Sequence, residues 1–368
     1  MAEIRPRDLL SDGLLERLGG TASEADGGGL PETVPVGGDV AAILTRDIAK
    51  LRDVGYLRSA VPAEFGGLGC TLRQAACGQR RLARRAPLTA LAVSAHLYWT
   101  GAAADAYRAG DDSVRWILLE AGRGALFGAG HGMPGGDLRF ADPRSRCEPT
   151  GQSGYRFWNP AVLSSLTPAW DWVAVHAVHA AHAAHAAHAA HAAHAAAGAV
   201  RPDAVLAFAG RGSRCTPAFR VARVQTAGTP ADVFTTSAIG WGHAILASVQ
   251  YSDARRAFNQ AVGTVARQSA SAMAGADGAD GRDGAGPRHP LDQWPVAEAS
   301  LRLDGMKAKI AEITHPWPRV PGQEPDLGGQ RLIGIFTMRH EVADGARHVF
   351  SLTTQIADAA DAAAVAAA

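Results

Sequence analysis

Seven histidines at every third position are the most conspicuous ligand-type side chains of this sequence. They run from His176 to His194, mostly with alanine between them. On a helix, each step of three residues falls about 60° short of a full turn, so these imidazoles would spiral around the axis and share no face. Neighbouring histidines could bind Zn²⁺, Ni²⁺ or Cu²⁺ two at a time, but no carboxylate or cysteine within the tract completes a coordination shell. We predict a His/Ala low-complexity insert over residues 176–197 and no dedicated metal site.

Other common reactive motifs are absent from the sequence. Its four cysteines, at positions 70, 77, 147 and 215, form neither a zinc-type close pair nor a disulfide scaffold, so reduced thiols are expected. There is no Gly-x-x-x-x-Gly-Lys phosphate loop, no Gly-x-Ser-x-Gly nucleophile turn and no His-Glu-x-x-His helix. The glycines at 128, 130 and 132 lack the spacing of a dinucleotide fingerprint. The commonest nucleotide-binding, hydrolase and metalloprotease signatures are therefore excluded.

Charge and hydropathy narrow the class of protein further. The 36 Lys and Arg residues against 35 Asp and Glu leave a formal net charge of +1, which does not favour a nucleic-acid partner. The first residues, MAEIRPRDLL, place charges where a signal peptide needs an apolar stretch. No charge-free apolar run of about 18 residues follows. We expect a soluble cytoplasmic protein with neither a nucleic-acid nor a membrane partner.

The spacing of apolar residues divides the 368 residues into three parts. Helical spacing dominates residues 1–125, including one helix over 40–57 and another that begins at Pro87. Short apolar or alternating runs separated by glycine, proline and asparagine fill residues 126–235, as is typical of strands. Helical spacing returns over residues 236–368. The pattern predicts an α+β protein that is all-α in its N-terminal part, strand-rich in the middle and all-α again in its C-terminal part.

Four segments, in this order, resemble the acyl-CoA dehydrogenase family of flavoproteins. VPAEFGGLGCTLRQ at 61–74 is similar to the family's Val-Pro-x-x-x-Gly-Gly-x-Gly loop, and PLTALAVSAHL at 87–97 is similar to the helix after it. GAGHGMPGGDLRF at 128–140 resembles the first β segment, which usually reads Thr-Glu-Pro-x-x-Gly-Ser-Asp. GYRFWNPAVLSSLTPAWDWVAVHA at 154–177 resembles the Gly-Tyr-x-Leu-Asn-Gly strand pair and the segment after it. The resemblance implies an acyl-CoA dehydrogenase-like fold, with an all-α N-terminal domain, a central β-barrel or sheet domain and a C-terminal α-helical bundle.

The resemblance also implies where an FAD cofactor lies. In the family the first β segment runs against the flavin, and backbone amides and small residues let a flat ring approach closely. Ser164 and Ser165 match a hydroxyl that meets the flavin edge near N5. Arg267 corresponds to an arginine that reaches the pyrophosphate of a neighbouring subunit's FAD. The implied cofactor-binding residues are Phe127, Ala129, Gly130, Gly135, Gly136, Ser164, Ser165 and Arg267.

The implied reaction is α,β-dehydrogenation of an acyl-CoA thioester by a homo-oligomer, with an electron-transferring flavoprotein as a possible acceptor. A carboxylate removes the α-proton while the β-hydrogen leaves as hydride to the flavin. This sequence departs from the family at that point. Its last helix ends in DAADAAAVAAA without the glycine turn and glutamate found there, and Gly242 and His243 occupy the other known position of the base. His243 is a candidate base or a packing residue, and no catalytic residue is predicted.

The cofactor segment departs as well, since Gly130 stands where the family has a flavin-contacting threonine and Gly136 where it has serine. Three functions therefore stay open. The first is the acyl-CoA dehydrogenation described above. The second is flavin-dependent monooxygenation on the same fold, in which oxygen reacts at the reduced ring and no carboxylate base is needed. The third is a non-catalytic relative, incomplete at its C-terminal end.

Overall fold

The structure is a computed structural model of the full chain. It describes residues 5–18, 38–130, 145–150, 154–158, 169–179, 204–210, 219–225, 232–276, 294–315 and 330–367. All statements below concern those residues.

Six helices precede the first strand, and their starts carry recognisable caps. The Ser11 hydroxyl accepts from the Leu14 amide at the start of α2, and Thr71 and Gln74 form a capping box at the start of α4. Pro87 occupies the first turn of α5, where its missing N–H costs no helical hydrogen bond. The helices are α1 (Pro6–Leu9), α2 (Asp12–Leu15), α3 (Gly38–Asp53), α4 (Leu72–Ala83), α5 (Pro87–Arg108) and α6 (Arg115–Gly122).

Helix α5 is the centre of the N-terminal helices. Seventeen of its 22 residues are buried, so it is apolar all round and not on one face only. The ring of Trp241 packs directly against the backbone of this helix at Gly101, since a Cβ there would lie 2.3 Å from ring carbons of Trp241. The indole Nε1 of Trp241 donates to Asp105 over 2.8 Å, which satisfies the polar end of this buried ring.

The glycine-rich segment after α3 folds into a compact loop. Two 3₁₀ turns, Tyr56–Arg58 and Ala63–Phe65, are followed by Gly66 at φ 84° and Gly69 at φ 62°. Both glycines have the left-handed conformation that side-chain-bearing residues rarely adopt. A Cβ at Gly67 would lie 2.0 Å from the Val61 carbonyl oxygen. The predicted loop between helices is therefore present, and its glycines have a structural purpose.

Six strands form one mixed sheet. Its order is β3-β2-β4-β5-β6, and β1 also pairs with β4. Strands β1 and β2 both run parallel to β4, β1 along Trp172–Val175 and β2 along Ala177–His179, so they occupy successive halves of the same edge. The strands are β1 (Phe127–Gly130), β2 (Ser145–Thr150), β3 (Gly154–Trp158), β4 (Trp172–His179), β5 (Ala204–Gly210) and β6 (Phe219–Gln225).

The strand-rich middle is confirmed, but two details differ from the prediction. The described strands form an open sheet and not a closed barrel, because β3 pairs only with β2 and β6 only with β5. Strand β4 also continues to His179, four residues into the predicted insert. The alternation of Val175, His176, Ala177 and Val178 suits a strand, and it pairs with β5 through Val178. Residues 180–203, with the rest of the histidine tract, lie outside the described residues.

Three long helices follow the sheet: α7 (Val233–Ala276), α8 (Trp294–Thr314) and α9 (Gln330–Ala367). Helix α7 joins two hydrophobic cores. Its residues Trp241, Ile245 and Val249 belong to the core of the N-terminal helices and the sheet. On another face, Tyr251 and Phe258 belong to the core that α7 builds with α8 and α9. None of the described helices has an apolar stretch long enough to cross a membrane.

Candidate functional site

Strand β1 presents two different faces. Phe127 pairs in register with Trp172 and Ala129 with Ala174, and all four belong to or pack against the core beneath the helices. Because side chains alternate along a strand, Gly128 and Gly130 face the opposite side of the sheet. Phe127 is therefore a core residue, and its ring lies 5.5 Å from that of Phe208 in an edge-to-face contact.

The opposite side of the sheet carries a small apolar cluster, which we call the outer wall. It comprises Val173, Val175, the partly buried Phe157 and the adjacent Trp170. Gly128 and Gly130 pair with Val173 and Val175, so no side chain of β1 at these two positions covers the wall. The indole Nε1 of Trp170 is buried and has no acceptor among the described residues. The outer wall is thus an apolar cluster with two fully buried valines, and beside it lies a buried indole N–H that has no acceptor among the described residues.

Two side chains fix the start of β1. The Asp171 carboxylate accepts from the Leu126 amide over 2.9 Å, and the amides of Asp171 and Trp172 both donate to the Leu126 carbonyl. The Phe127 amide donates to Nδ1 of His96 over 3.3 Å. Since Nδ1 accepts, the ring proton is on Nε2, which donates to the Leu57 carbonyl oxygen over 2.7 Å. His96 therefore connects the glycine-rich loop, α5 and β1.

Burial keeps His96 neutral. The ring is fully enclosed and stacks on Phe127 with centroids 6.2 Å apart. Loss of hydration disfavours the charged imidazolium, and this lowers the pKa of His96 from 6.5 to about 4. The hydrogen-bond pattern around β1 is therefore the same throughout the neutral pH range.

The predicted cofactor residues divide into three groups. Phe127, Ala129 and Gly130 share strand β1. Gly135, Gly136, Ser164 and Ser165 lie outside the described residues, so their contacts with the outer wall stay a prediction. Arg267 lies on α7 and lines a cleft to which β1 contributes no residue.

That cleft, which we call the arginine cleft, was not predicted from the sequence. It has a volume of about 570 Å³ and lies between Arg84, at the end of α4, and the middle of α7. A signal for it was present, since positions 256, 260, 264 and 267 share one helical face at spacings of four, four and three. The lining residues are Arg84, Arg255, Arg256, Asn259, Gln260, Thr264 and Arg267.

The candidate base His243 and the acidic residue Glu341 of α9 both have structural contacts. His243 is 2% exposed, and its ring lies 5.3 Å from Phe336 of α9 in an edge-to-face contact, which agrees with packing between α7 and α9. Glu341 is exposed and lies 3.9 Å from the Lys309 ammonium. Neither arrangement resembles a desolvated base aimed at a substrate.

The described cysteines are free thiols, at positions 70, 77 and 147. Burial raises the pKa of Cys70 from 9.0 to about 12 and that of Cys147 to about 11. Because the thiolate is the reactive form, neither residue is suited to nucleophilic chemistry at neutral pH.

Comparison with known proteins reveals relatives in structure only. No protein-family model matches the chain, and no curated protein matches it in sequence. Among solved structures, a nitrososynthase from Micromonospora carbonacea var. africana is 17% identical, with a TM-score of 0.65 over 96% of this chain and 85% of that one. KijD3 in complex with FMN and a dTDP-linked amino-keto sugar is 19% identical, with a TM-score of 0.66 over 96% and 83%.

A third neighbour is TdsC from Paenibacillus sp. A11-2, a dibenzothiophene monooxygenase that has been solved in complex with FMN and indole. It is 15% identical, with a TM-score of 0.58 over 85% of this chain and 80% of that one. The neighbours have the acyl-CoA dehydrogenase-like arrangement of helices around a sheet that the sequence resemblance implied. At these identities the likeness establishes the fold, and the chain shares it with this group of proteins across nearly its whole length.

Proposed function

We propose that this chain is a flavin-dependent monooxygenase whose flavin lies against the outer wall. The observation that carries the proposal is the shared fold over 96% of the chain with KijD3, which binds FMN. TdsC supports the same reaction class, since it is a monooxygenase that binds FMN on this fold. The sequence resemblance favours FAD as the flavin of this chain, whereas analogy with these two neighbours favours FMN.

The residues of the outer wall fit a flavin. Val173, Val175 and Phe157 form an apolar cluster beside β1, whose partly buried member Phe157 would contact a flat ring, and Gly128 and Gly130 carry no side chain that would block its approach. The unused Nε1 donor of Trp170 can hydrogen-bond a ring carbonyl or nitrogen. Ser164 or Ser165 would donate to the flavin near N5, and Gly135 and Gly136 would complete the ring contact.

A neighbouring subunit belongs to the same proposal. The family resemblance assigns Arg267 to the phosphates of a flavin held by a second copy of the chain. Arg267 lies on α7, and among the described residues its guanidinium has one hydrogen bond, of 3.1 Å, to the Thr264 hydroxyl. It is therefore available to an anion from outside its own subunit, as a homo-oligomer would require.

Monooxygenation is favoured over acyl-CoA dehydrogenation because the dehydrogenase reaction needs a carboxylate base. The position that carries this base in some members of the family is here His243, which is buried between helices. A reduced flavin activates dioxygen itself, so monooxygenation does not require such a base. The chain's own residues would then hold the ring, exclude water and orient the substrate.

The test uses the full chain reconstituted with FMN or FAD. The flavin is reduced under anaerobic conditions and mixed with ¹⁸O₂-saturated buffer containing indole as an aromatic probe. We expect rapid reoxidation and a product that carries one oxygen atom from ¹⁸O₂. If an acyl-CoA mixture instead bleaches the oxidised flavin, and the reduced form resists oxygen, the chain is a dehydrogenase with an acyl-CoA substrate. A chain that binds neither flavin is the non-catalytic relative.

A further inference from the structure

The arginine cleft concentrates positive charge without matching negative charge. Four of its seven lining residues are arginines, and no carboxylate lines it. The charge of Arg256 is balanced by the buried carboxylate of Asp253, which is 2% exposed and lies 2.6 Å from the guanidinium. Within the described ranges, no carboxylate pairs with Arg84, Arg255 or Arg267. Three arginines of the cleft therefore have no carboxylate partner among the residues that the structure describes.

The arginines are oriented by contacts that leave their charge unchanged. Arg255 lies over the ring of Phe258, 6.0 Å from its centroid. Arg267 donates to the Thr264 hydroxyl over 3.1 Å, and Arg256 donates to the side-chain amide oxygen Oε1 of Gln260 over 3.4 Å. These contacts reduce the rotamer entropy that a ligand would otherwise have to remove. The cationic groups are thus partly preorganised.

The residue types indicate which anion fits. A guanidinium presents a planar fork that matches phosphate oxygens two at a time, and several arginines around one centre are typical of phosphate recognition. Asn259, Gln260 and Thr264 add neutral hydrogen-bonding groups to the same lining. The volume of about 570 Å³ falls within the usual range of sites for small organic ligands and is larger than a single inorganic ion requires.

We propose that the arginine cleft is a binding site for a phosphorylated ligand, with a diphosphate or nucleotide phosphate as the bound group. Arg84, Arg255 and Arg267 would contact the phosphoryl oxygens. Arg256, which is held by Asp253, would lie at the base of the site and add to its positive potential. This extends the role of Arg267 to a site with three further arginines that nothing in the sequence resemblance assigned. The site does not depend on flavin chemistry, because a free polyphosphate would occupy it equally well.

The test titrates inorganic pyrophosphate into the full-length wild-type chain by calorimetry at low and at moderate salt. We expect saturable binding that weakens as salt rises. The double variant Arg84→Gln/Arg255→Gln should bind pyrophosphate at least about tenfold more weakly. Arg347→Gln is the matched control, since Arg347 is an exposed arginine of α9 outside the cleft. It should bind like wild type.

Two outcomes overturn the proposal: no pyrophosphate binding by the wild type, or equal binding by the wild type and the double variant. Circular dichroism melting of the double variant verifies that it folds, and Arg267→Gln provides an independent reduction of charge in the same cleft.

The same variants identify the source of the phosphate. If the double variant loses affinity for FMN but not for riboflavin, and pyrophosphate displaces FMN, the cleft holds the phosphate of the flavin. If pyrophosphate binding is lost while FMN binding is unchanged, the cleft serves a separate phosphorylated ligand. Both results support the site. Failure of the flavin proposal would appear separately, as absence of FMN and riboflavin binding in a chain that still binds pyrophosphate.

Discussion

The β1 region, which includes the outer wall, and the arginine cleft differ in the charge and burial of their side chains. Around β1 most side chains are buried and apolar, and the imidazole of His96 stays uncharged with both nitrogens hydrogen-bonded. In the cleft three arginines keep their charge without a carboxylate partner among the described residues. Apolar packing therefore stabilises the β1 region, and this stability depends little on a bound ligand. The second region carries electrostatic repulsion that a bound anion would relieve. The following predictions test that contrast.

Loss of the Phe127 ring should have the largest effect on stability. The ring is completely buried and contacts Phe208, Trp116 and His96. Phe127→Ala should lower the free energy of unfolding by about 3–5 kcal/mol, because it leaves a cavity in a closely packed core. Urea denaturation followed by tryptophan fluorescence measures the change. A loss below about 1 kcal/mol would mean that β1 is not fixed by the aromatic core.

Acidification should weaken the β1 region through His96. The folded pKa of about 4 lies below the unfolded value of 6.5, so between these values the unfolded chain binds a proton that the folded chain does not. Burial of the neutral ring therefore contributes fully to the free energy of unfolding above pH 6.5. This contribution is lost as the pH falls towards 4, and the total loss is about 3 kcal/mol.

The variant His96→Gln separates this effect from the other histidines, whose titration is common to both proteins. Its stability should depend on pH less steeply than that of the wild type between pH 6.5 and 4, as judged by denaturation at several pH values. Parallel pH profiles would show that His96 is not the buried neutral group described here.

A methyl group at Gly101 should have a smaller effect. It would meet the ring of Trp241 at 2.3 Å and force α5 and α7 apart, at a cost of about 1–3 kcal/mol. Gly305→Ala is the matched control, because a Cβ there has no neighbour within 4 Å. That substitution should raise the thermal midpoint slightly, through the better helix propensity of alanine. If both variants melt alike, the close contact between α5 and Trp241 does not exist.

The smallest effect on stability should come from the arginine cleft. Arg84→Gln/Arg255→Gln removes like charges and no buried packing, so its melting temperature should equal that of the wild type or exceed it slightly at low salt. A marked loss of stability in this variant would show that the arginines serve the fold, and the contrast between the two regions would then fail.

The long regular elements were predictable from the sequence. Helices α3 and α5 follow from the spacing of apolar residues, and Gly55, at φ 78°, ends the first close to the predicted position. The strand-rich middle follows from short apolar runs between glycines and prolines. Of the two predicted forms of the middle domain, a barrel or a sheet, the described strands form an open sheet. The choice between the two depends on which strands pair at the edges, and local patterns carry no information about that.

The candidate sites were less predictable. Arg84 and Arg255 lie 171 positions apart in the chain, and only the packing of α4 against α7 brings them together. The hydrogen bond between the Phe127 amide and His96 joins residues 31 positions apart, and no sequence motif indicates it. Trp170 was passed over because its unused Nε1 becomes informative only when its burial is known.

The most direct test of the account is flavin binding by the purified full chain, titrated with FMN and with FAD and followed by flavin absorbance and fluorescence. The account predicts tight binding of one of them, and binding about tenfold weaker in Trp170→Phe, which lacks the indole donor. Trp294→Phe, at an exposed position of α8, should bind like wild type. A wild-type chain that binds neither flavin, or a Trp170→Phe variant that binds it unchanged, would contradict a flavin on the outer wall.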